Sequence, residues 1–232
     1  MATLLTPARR RGVEILDDPS VAADVRERAM RDVARANRLF GGTRSALAGF
    51  REVVRSLPSQ ALLLDVGTGS GDIALALAAD AKLARVEVFG VGMDISEDMT
   101  RLARRRLDGG VVGSALRIPL ADHSVDVVAC SQLLHHFEAA QARALIAELH
   151  RVSRRWVLVS DLRRSWIAVG GWLLASTALG FHEVTRADGA VSVLRGFTGS
   201  ELSDLVRDAT GVTPRIRHGA MWRLSATWSK SA

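Results

Sequence analysis

The sequence predicts an α/β protein: a mostly parallel, seven-stranded sheet with an antiparallel C-terminal strand and a helical cap at the N-terminus. Three observations carry this. Between residues 61 and 161, short apolar runs alternate with helix-period segments, the pattern of strand–helix–strand units with right-handed crossovers. The first run, Leu62-Leu63-Leu64-Asp65-Val66, breaks into Gly67-Thr68-Gly69-Ser70-Gly71 and then a helical pattern, as a strand does when it enters a ligand-binding turn. Residues 212–217 and 221–228 read as a closing hairpin with its turn near His218-Gly219, which places an antiparallel edge on the sheet.

The bulk composition narrows the class. At 232 residues, 48% of them hydrophobic, the chain suits one α/β domain with additions. A single cysteine, Cys130, rules out an intramolecular disulfide and fits a reducing, cytoplasmic compartment. The N-terminus does not read as a signal peptide. Net charge is +6, but the arginine clusters are scattered and lack interleaved aromatics, so they read as solvated helix faces and predict no nucleic-acid partner. Residues 165–181 carry no charge. They sit at the lower limit for a membrane span, and a buried or ligand-covering helix is the expectation, with no integral membrane segment.

The elements follow in order. Residues 7–57 read as helices, divided at Asp17-Asp18-Pro19-Ser20, with Ser20 capping a helix from 21 to about 38. That helix ends at Asn37-Arg38-Leu39-Phe40-Gly41-Gly42, and another spans about 45–56. Residues 1–58 thus form a cap, and 59–232 the main domain. Its strands are expected at 61–66, 86–93, 111–112, 125–130 and 155–161. Helices are expected at 71–79, from Ser96 to about 107, and at 139–150. An insertion at about 163–198 holds the apolar 165–181 helix and a polar turn. Ser200 then caps a helix over 201–209.

The glycines at 67, 69 and 71 alternate, whereas dinucleotide sites usually space them G-x-G-x-x-G. This stretch resembles the first motif of class I S-adenosylmethionine-dependent methyltransferases, which have a Rossmann-like fold. Asp94 ends the second strand, 23 residues beyond Gly71, where an acid accepts hydrogen bonds from ribose hydroxyls or caps the next helix. A third stretch, Gly113-Ser114-Ala115-Leu116-Arg117-Ile118-Pro119-Leu120-Ala121-Asp122-His123-Ser124-Val125-Asp126, is similar to a later pattern of the same family. Ser114 stands where that family usually has an acid that holds the adenine amino group.

The resemblance implies S-adenosylmethionine as cofactor, with S-adenosylhomocysteine as product. It implies a cofactor site of Asp65, Gly67, Thr68, Gly69, Gly71, Asp94, Ile95, Met99, Ser114, Ala115, Leu116, Ser131 and Gln132. Arg38 is added if the N-terminal helix folds over the site. Cys130-Ser131-Gln132-Leu133-Leu134-His135-His136 follows the fourth strand, where the family often shows L-H-H. His136, His182 or His135 is therefore the candidate base, or these histidines pack and cap. Acids and histidines do not cluster at metal-ligand spacing, so no metal is expected.

Four further stretches, Leu16-Asp17-Asp18-Pro19, Asn37 to Gly42, Ser160 to Ser165 and His182 to Thr198, resemble bacterial methyltransferases found beside polyketide and quinone-modifying genes. That implies a small aromatic or polyketide acceptor. Phe40, Arg163, Arg164, Trp166, Trp172 and Phe181 are the candidate substrate wall, although each also suits packing or a plain ion pair. The expected reaction is O-methylation of a phenol or hydroxyquinone by a monomer or homodimer. C-methylation of a quinone-type ring, a non-catalytic homologue or cyclase, and RNA methylation are the alternatives.

Overall fold

The computed structural model describes residues 5–230 apart from 11 and 19, without the side chains of Asp17 and Ala23. The expected break at Asp17-Asp18-Pro19-Ser20 therefore lies partly outside the described residues, at Pro19.

The parallel strands are β1 (Gln60–Val66), β2 (Glu87–Asp94), β3 (Gly109–Val112), β4 (Val125–Ser131) and β5 (Ser153–Leu162). A hairpin of β6 (Arg215–Gly219) and β7 (Arg223–Ser229) completes the sheet. The strand order is β3-β2-β1-β4-β5-β7-β6, and β7 pairs antiparallel to both β5 and β6. Every residue of β4 is buried, as expected of a central parallel strand covered on both faces.

Two apolar clusters account for that cover. On one, α5 (Ala139–Val152) and α8 (Gly199–Thr210) bring Leu145, Ile146, Leu149, Leu202 and Val206 against Val128, Val157 and Trp228. On the other, α2 (Gly42–Val53) and α3 (Asp72–Leu83) bring Ala46, Phe50, Ile73 and Leu77 against Leu63, Ala129 and Leu158. The helix α2, within the expected cap at 1–58, packs directly on the sheet.

Several expected elements differ from those observed. The described residues of 7–14 are not helical; they form an irregular strap ending in a 3-10 turn at Ile15–Asp17. Distant partners take the hydrogen bonds a helix would have made internally. Arg10 N donates to Leu194 O at 3.2 Å, and Ile15 N and Leu16 N donate to the Asp188 carboxylate at 2.7 and 2.9 Å. The next helix, α1 (Ala23–Leu39), has Ala22 at its cap position rather than Ser20. Ser20 N instead donates to Asp18 Oδ1. The helix expected over 45–56 starts at Gly42 and ends in a 3-10 turn at Val54–Ser56.

Further along, α4 (Glu97–Ala103) stops before 107 and gives way to turns. The polar turn expected after the apolar helix α6 (Trp166–Ala178) is a second helix, α7 (Glu183–Arg195). Its polar face turns to the strap through Asp188, Ser192 and Arg195. The cap of α8 is Thr198, in a reciprocal capping box with Glu201, rather than Ser200. The hairpin turns at 220–222, with Met221 and Trp222 at φ 55° and 54°. Among the described residues no helix is long and apolar enough to cross a membrane; α6 has 13 residues.

Candidate active site

The site forms at the carboxyl edge of the parallel strands, where such sheets bind ligands. Gly67, Gly69 and Gly71 adopt φ of 73°, 51° and 75°, left-handed values that suit glycine. A Cβ on Gly67 would lie 2.6 Å from Leu133 Cδ2, whereas one on Gly69 would meet nothing within 4 Å. The open side of Gly69 faces a cavity of about 680 Å³.

Hydrogen bonds fix the turn. Gly67 N and Thr68 N donate to Met93 O at 2.8 and 3.0 Å, tying the turn to β2. Gly69 N donates to Asp94 Oδ2 at 3.1 Å, and Ser96 N to Asp94 Oδ1 at 2.9 Å. Thr68 Oγ1 donates to Asp65 Oδ2 at 2.9 Å. The other oxygen of Asp65 is buried and has no partner among the described residues. Burial, opposed by the Thr68 hydrogen bond and reinforced by the charges of Asp72 and Asp94, pushes the Asp65 carboxyl up to about 7.

Asp65, Asp72 and Asp94 all line the cavity with Gly67, Thr68, Gly69, Met99, Ser131 and Gln132. Three acids around an open glycine suit a ligand that carries positive charge and hydroxyls. S-adenosylmethionine, a sulfonium with an ammonium and a ribose, has both. Asp65 and the turn would hold its amino-acid tail, and Asp94 the ribose.

The opposite wall is apolar. Phe40 and Trp172 line it with Met30, Val33, Val193 and Met221. The Phe40 and Trp172 rings meet edge-on at 5.5 Å, and Phe181 packs edge-on against both from behind, at 6.4 and 5.8 Å. The Trp172 indole lies against α7 where residue 189 is glycine. A Cβ there would be 2.2 Å from the ring, and Trp172 Nε1 donates to Arg186 O at 2.9 Å.

Between the two walls stand His135 and His136, their rings 4.3 Å apart. His135 is buried at 4% exposure. Its Nδ1 bonds Asp161 Oδ1 at 2.6 Å, and its backbone N donates to Asp161 Oδ2 at 3.0 Å. Burial raises the Asp161 carboxyl. The His135 charge and hydrogen bond, with the N–H groups of Leu162 and His135, outweigh that and hold it below the usual carboxylate range. His136 faces the cavity, so it is desolvated although 30% of its side chain is accessible. That desolvation, with His135 and Arg195 adding to it, pushes His136 down to about 3.

Glu14, His135 and His136 bring possible ligand atoms within 4.8 Å of one another, the one such trio among the described residues. A guanidinium already occupies the place of a cation beside them. Arg195 Nη1 lies 2.8 Å from Glu14 Oε1 and 3.4 Å from His136 Nδ1.

Other candidates lie away from the cavity wall. Gly71 caps α3. Ile95 is 77% exposed. Ser114 Oγ accepts from Leu116 N at 3.3 Å, and neither these two nor Ala115 lines the cavity. Arg38 is exposed, while its neighbours Asn37 and Phe40 line the wall. His182 caps α7 through Nδ1, and its backbone N donates to Asp32. Arg163 faces His218. Arg164 is buried and pairs with Glu201, Pro7 O and Gly196 O, a structural tie between strap, β5 and α8. Trp166 is 41% exposed beneath Arg10.

The cavity also has walls that the sequence did not announce: Glu14 from the strap, and Met221, Trp222 and Arg223 from the hairpin; Leu16 and Ser192, which also line it, fall in stretches the sequence singled out. One signal was available. Met221 and Trp222 occupy a tight hairpin turn, where Asn and Gly are usual, so bulky residues there point to a role in a site.

Comparison with known proteins agrees with this geometry. Residues 63–155 match the family described as "Methyltransferase domain". The chain is 33% identical over 143 residues to malonyl-[acyl-carrier protein] O-methyltransferase of Methylococcus capsulatus, covering 55% of this chain and 49% of that protein. It is 30% identical over 106 residues to the tRNA (carboxymethyluridine(34)-5-O)-methyltransferase ALKBH8 of Macaca fascicularis, covering 44% of this chain and 14% of that one. The chain thus spans about half or less of these curated relatives.

Among solved structures, a SAM-dependent methyltransferase from Aquifex aeolicus has a TM-score of 0.60 at 16% identity, covering 87% of this chain and 97% of that one. The magnesium protoporphyrin IX methyltransferase of Synechocystis PCC 6803 with bound SAH scores 0.57 at 16% identity, over 93% and 91%. Residues 63–155 thus match a methyltransferase domain, and the strand order of the chain is set in a fold similar to that of solved SAM-dependent methyltransferases.

Proposed function

We propose that this chain methylates a hydroxyl of a small aromatic or polyketide-type acceptor, without a metal, and that His135 is the base. The observation that carries the reading is the buried Asp161–His135 pair standing between an acidic glycine turn and an aromatic wall.

When bound, S-adenosylmethionine supplies an electrophilic methyl group. The remaining chemistry is positioning, proton transfer and exclusion of water. Phe40 and Trp172 would orient the flat acceptor. The strap, α6 and α7 would screen it from solvent. Asp161 accepts a hydrogen bond from His135 Nδ1–H, so Nε2 keeps its lone pair for a hydroxyl proton. His136, held neutral by burial, would act as a spacer or hydrogen-bond partner. The cofactor contacts proposed above for Asp65, Gly67, Thr68, Gly69, Asp94 and Met99 belong to the same reading.

The test is steady-state turnover of a phenolic acceptor by His135→Gln and Asp161→Asn. Each is expected to lower kcat by about a hundredfold, with S-adenosylhomocysteine affinity within about twofold of the parent. Full kcat in His135→Gln would refute the assignment.

A further inference from the structure

We propose that Arg223, with Gln132 and Ser131, forms a recognition subsite for an anionic oxygen of the acceptor: a carboxylate or an ionised hydroxyl. The inference rests on the reading that the acceptor occupies the apolar half of the cavity, and it adds a charge requirement to it.

Arg223 lines the cavity and is 5% exposed. Its guanidinium donates from Nε to Phe40 O at 2.8 Å and from Nη1 to Gln132 Oε1 at 2.6 Å. Both partners are neutral. Among the described residues no carboxylate forms an ion pair with it. The acid that acts on it is Asp161, whose oxygens are taken by His135 and Leu162 N. Burial pulls the guanidinium down to about 10, so it stays charged at neutral pH. A buried cation without a direct ion-pair partner is costly. An anion arriving with a ligand removes that cost and gains a charge-assisted hydrogen bond.

Among the described residues, the buried donors Gln132 Nε2 and Ser131 Oγ have no partner, and both residues line the cavity; Ser131 is 6% exposed. Gln132 holds φ 57°, a strained value for a glutamine. Arg223 itself follows the strained turn of Met221 and Trp222.

Position separates the Arg223 guanidinium from the acids proposed to hold the methyl donor, while Ser131 and Gln132, at the end of β4 beside β1, stand between the two. Asp65 and Asp94 lie on β1 and β2, whereas Arg223 begins β7 opposite Leu162, three strands from β1. At about 4.8 Å per strand the separation is roughly 14 Å. The acidic end suits the cationic donor, and the basic end an anionic acceptor.

The experiment is calorimetry on protein saturated with S-adenosylhomocysteine, titrated with 2-naphthoate, with the neutral 2-naphthamide, and with malonate. Wild type should bind naphthoate about tenfold more tightly than naphthamide. Arg223→Gln should abolish that preference while S-adenosylhomocysteine affinity stays within about twofold. Arg223→Lys should retain part of it, and Gln132→Ala should reduce it; these two variants decide the matter if Arg223→Gln does not fold. If naphthoate and naphthamide both fail but malonate binds in an Arg223-dependent way, the subsite stands and the aromatic reading falls. The proposal is overturned if no carboxylate shows Arg223-dependent binding. It is equally overturned if the variants lose S-adenosylhomocysteine affinity in its place, since the subsite would then serve the methyl donor.

Discussion

Asp65→Asn separates stability from ligand binding at the glycine turn. In the folded chain the Asp65 carboxyl is raised from 3.8 to about 7, chiefly by burial. A carboxyl with a raised folded value binds its proton more tightly when folded. Its unfavourable contribution is therefore absent below about pH 4, grows as pH rises toward 7, and is complete above that. At about 1.4 kcal/mol per unit, the upper bound is roughly 4 kcal/mol. Retained hydrogen bonding to Thr68 and local relaxation bring the expected gain on neutralisation to about 1–3 kcal/mol. For a chain of this size that raises Tm by roughly 3–8 °C at pH 8 and by little at pH 4.5.

The same change removes a charged acceptor from the cavity floor. S-adenosylmethionine affinity should fall about tenfold or more, the worth of one hydrogen bond to a charged group. Thermal melts at both pH values and a calorimetric titration at pH 8 read the two effects. A variant no more stable than the parent at pH 8, or shifted equally at pH 4.5 and pH 8, would refute the claim that Asp65 is a strained carboxylate. Unchanged affinity would refute its role toward the cofactor.

Three further outcomes are expected. Arg164→Ala should lower Tm by about 5 °C, because it removes the buried tie to Pro7, Gly196 and Glu201, a loss of roughly 2 kcal/mol. With Glu201 held down to about 2 chiefly by Arg164, that tie is present above pH 4.5 and is lost as pH falls toward 2; a melt series from pH 3 to 7 checks it. Trp172→Ala should raise the KM of an aromatic acceptor about tenfold with little change in the KM of S-adenosylmethionine, measured by initial rates. Dialysis against a chelator should leave turnover unchanged, because Arg195 already supplies the positive charge beside Glu14 and His136.

The sheet was legible because its strands are buried on both faces and read as continuous apolar runs, as at Leu62–Val66 and Val125–Cys130. The glycine turn and Asp94 were legible because backbone chemistry fixes their spacing. Caps were less so: Ser20 and Ser200 are good capping types, yet α1 starts after Ala22 with no side-chain cap and the Thr198–Glu201 box caps α8. The N-terminal strap was misread because its donors bond to Asp188, Leu194 and Arg195, about 170 to 190 residues away, and local propensity carries no trace of such partners. Likewise the histidines could be ranked only through Asp161. That acid lies 26 residues beyond His135 and reaches it because β4 and β5 are neighbours in the sheet.

The most direct test of the whole account is transfer of label from [methyl-14C]-S-adenosylmethionine, with wild type and His135→Gln side by side. The pools offered are hydroxylated aromatic acids and hydroxyquinones, bulk tRNA, and malonyl-acyl carrier protein. The account predicts label on a hydroxyl oxygen of a small aromatic acceptor, reduced about a hundredfold in the variant. Label found only in tRNA or on the acyl carrier protein, or equal labelling by both proteins, would contradict it.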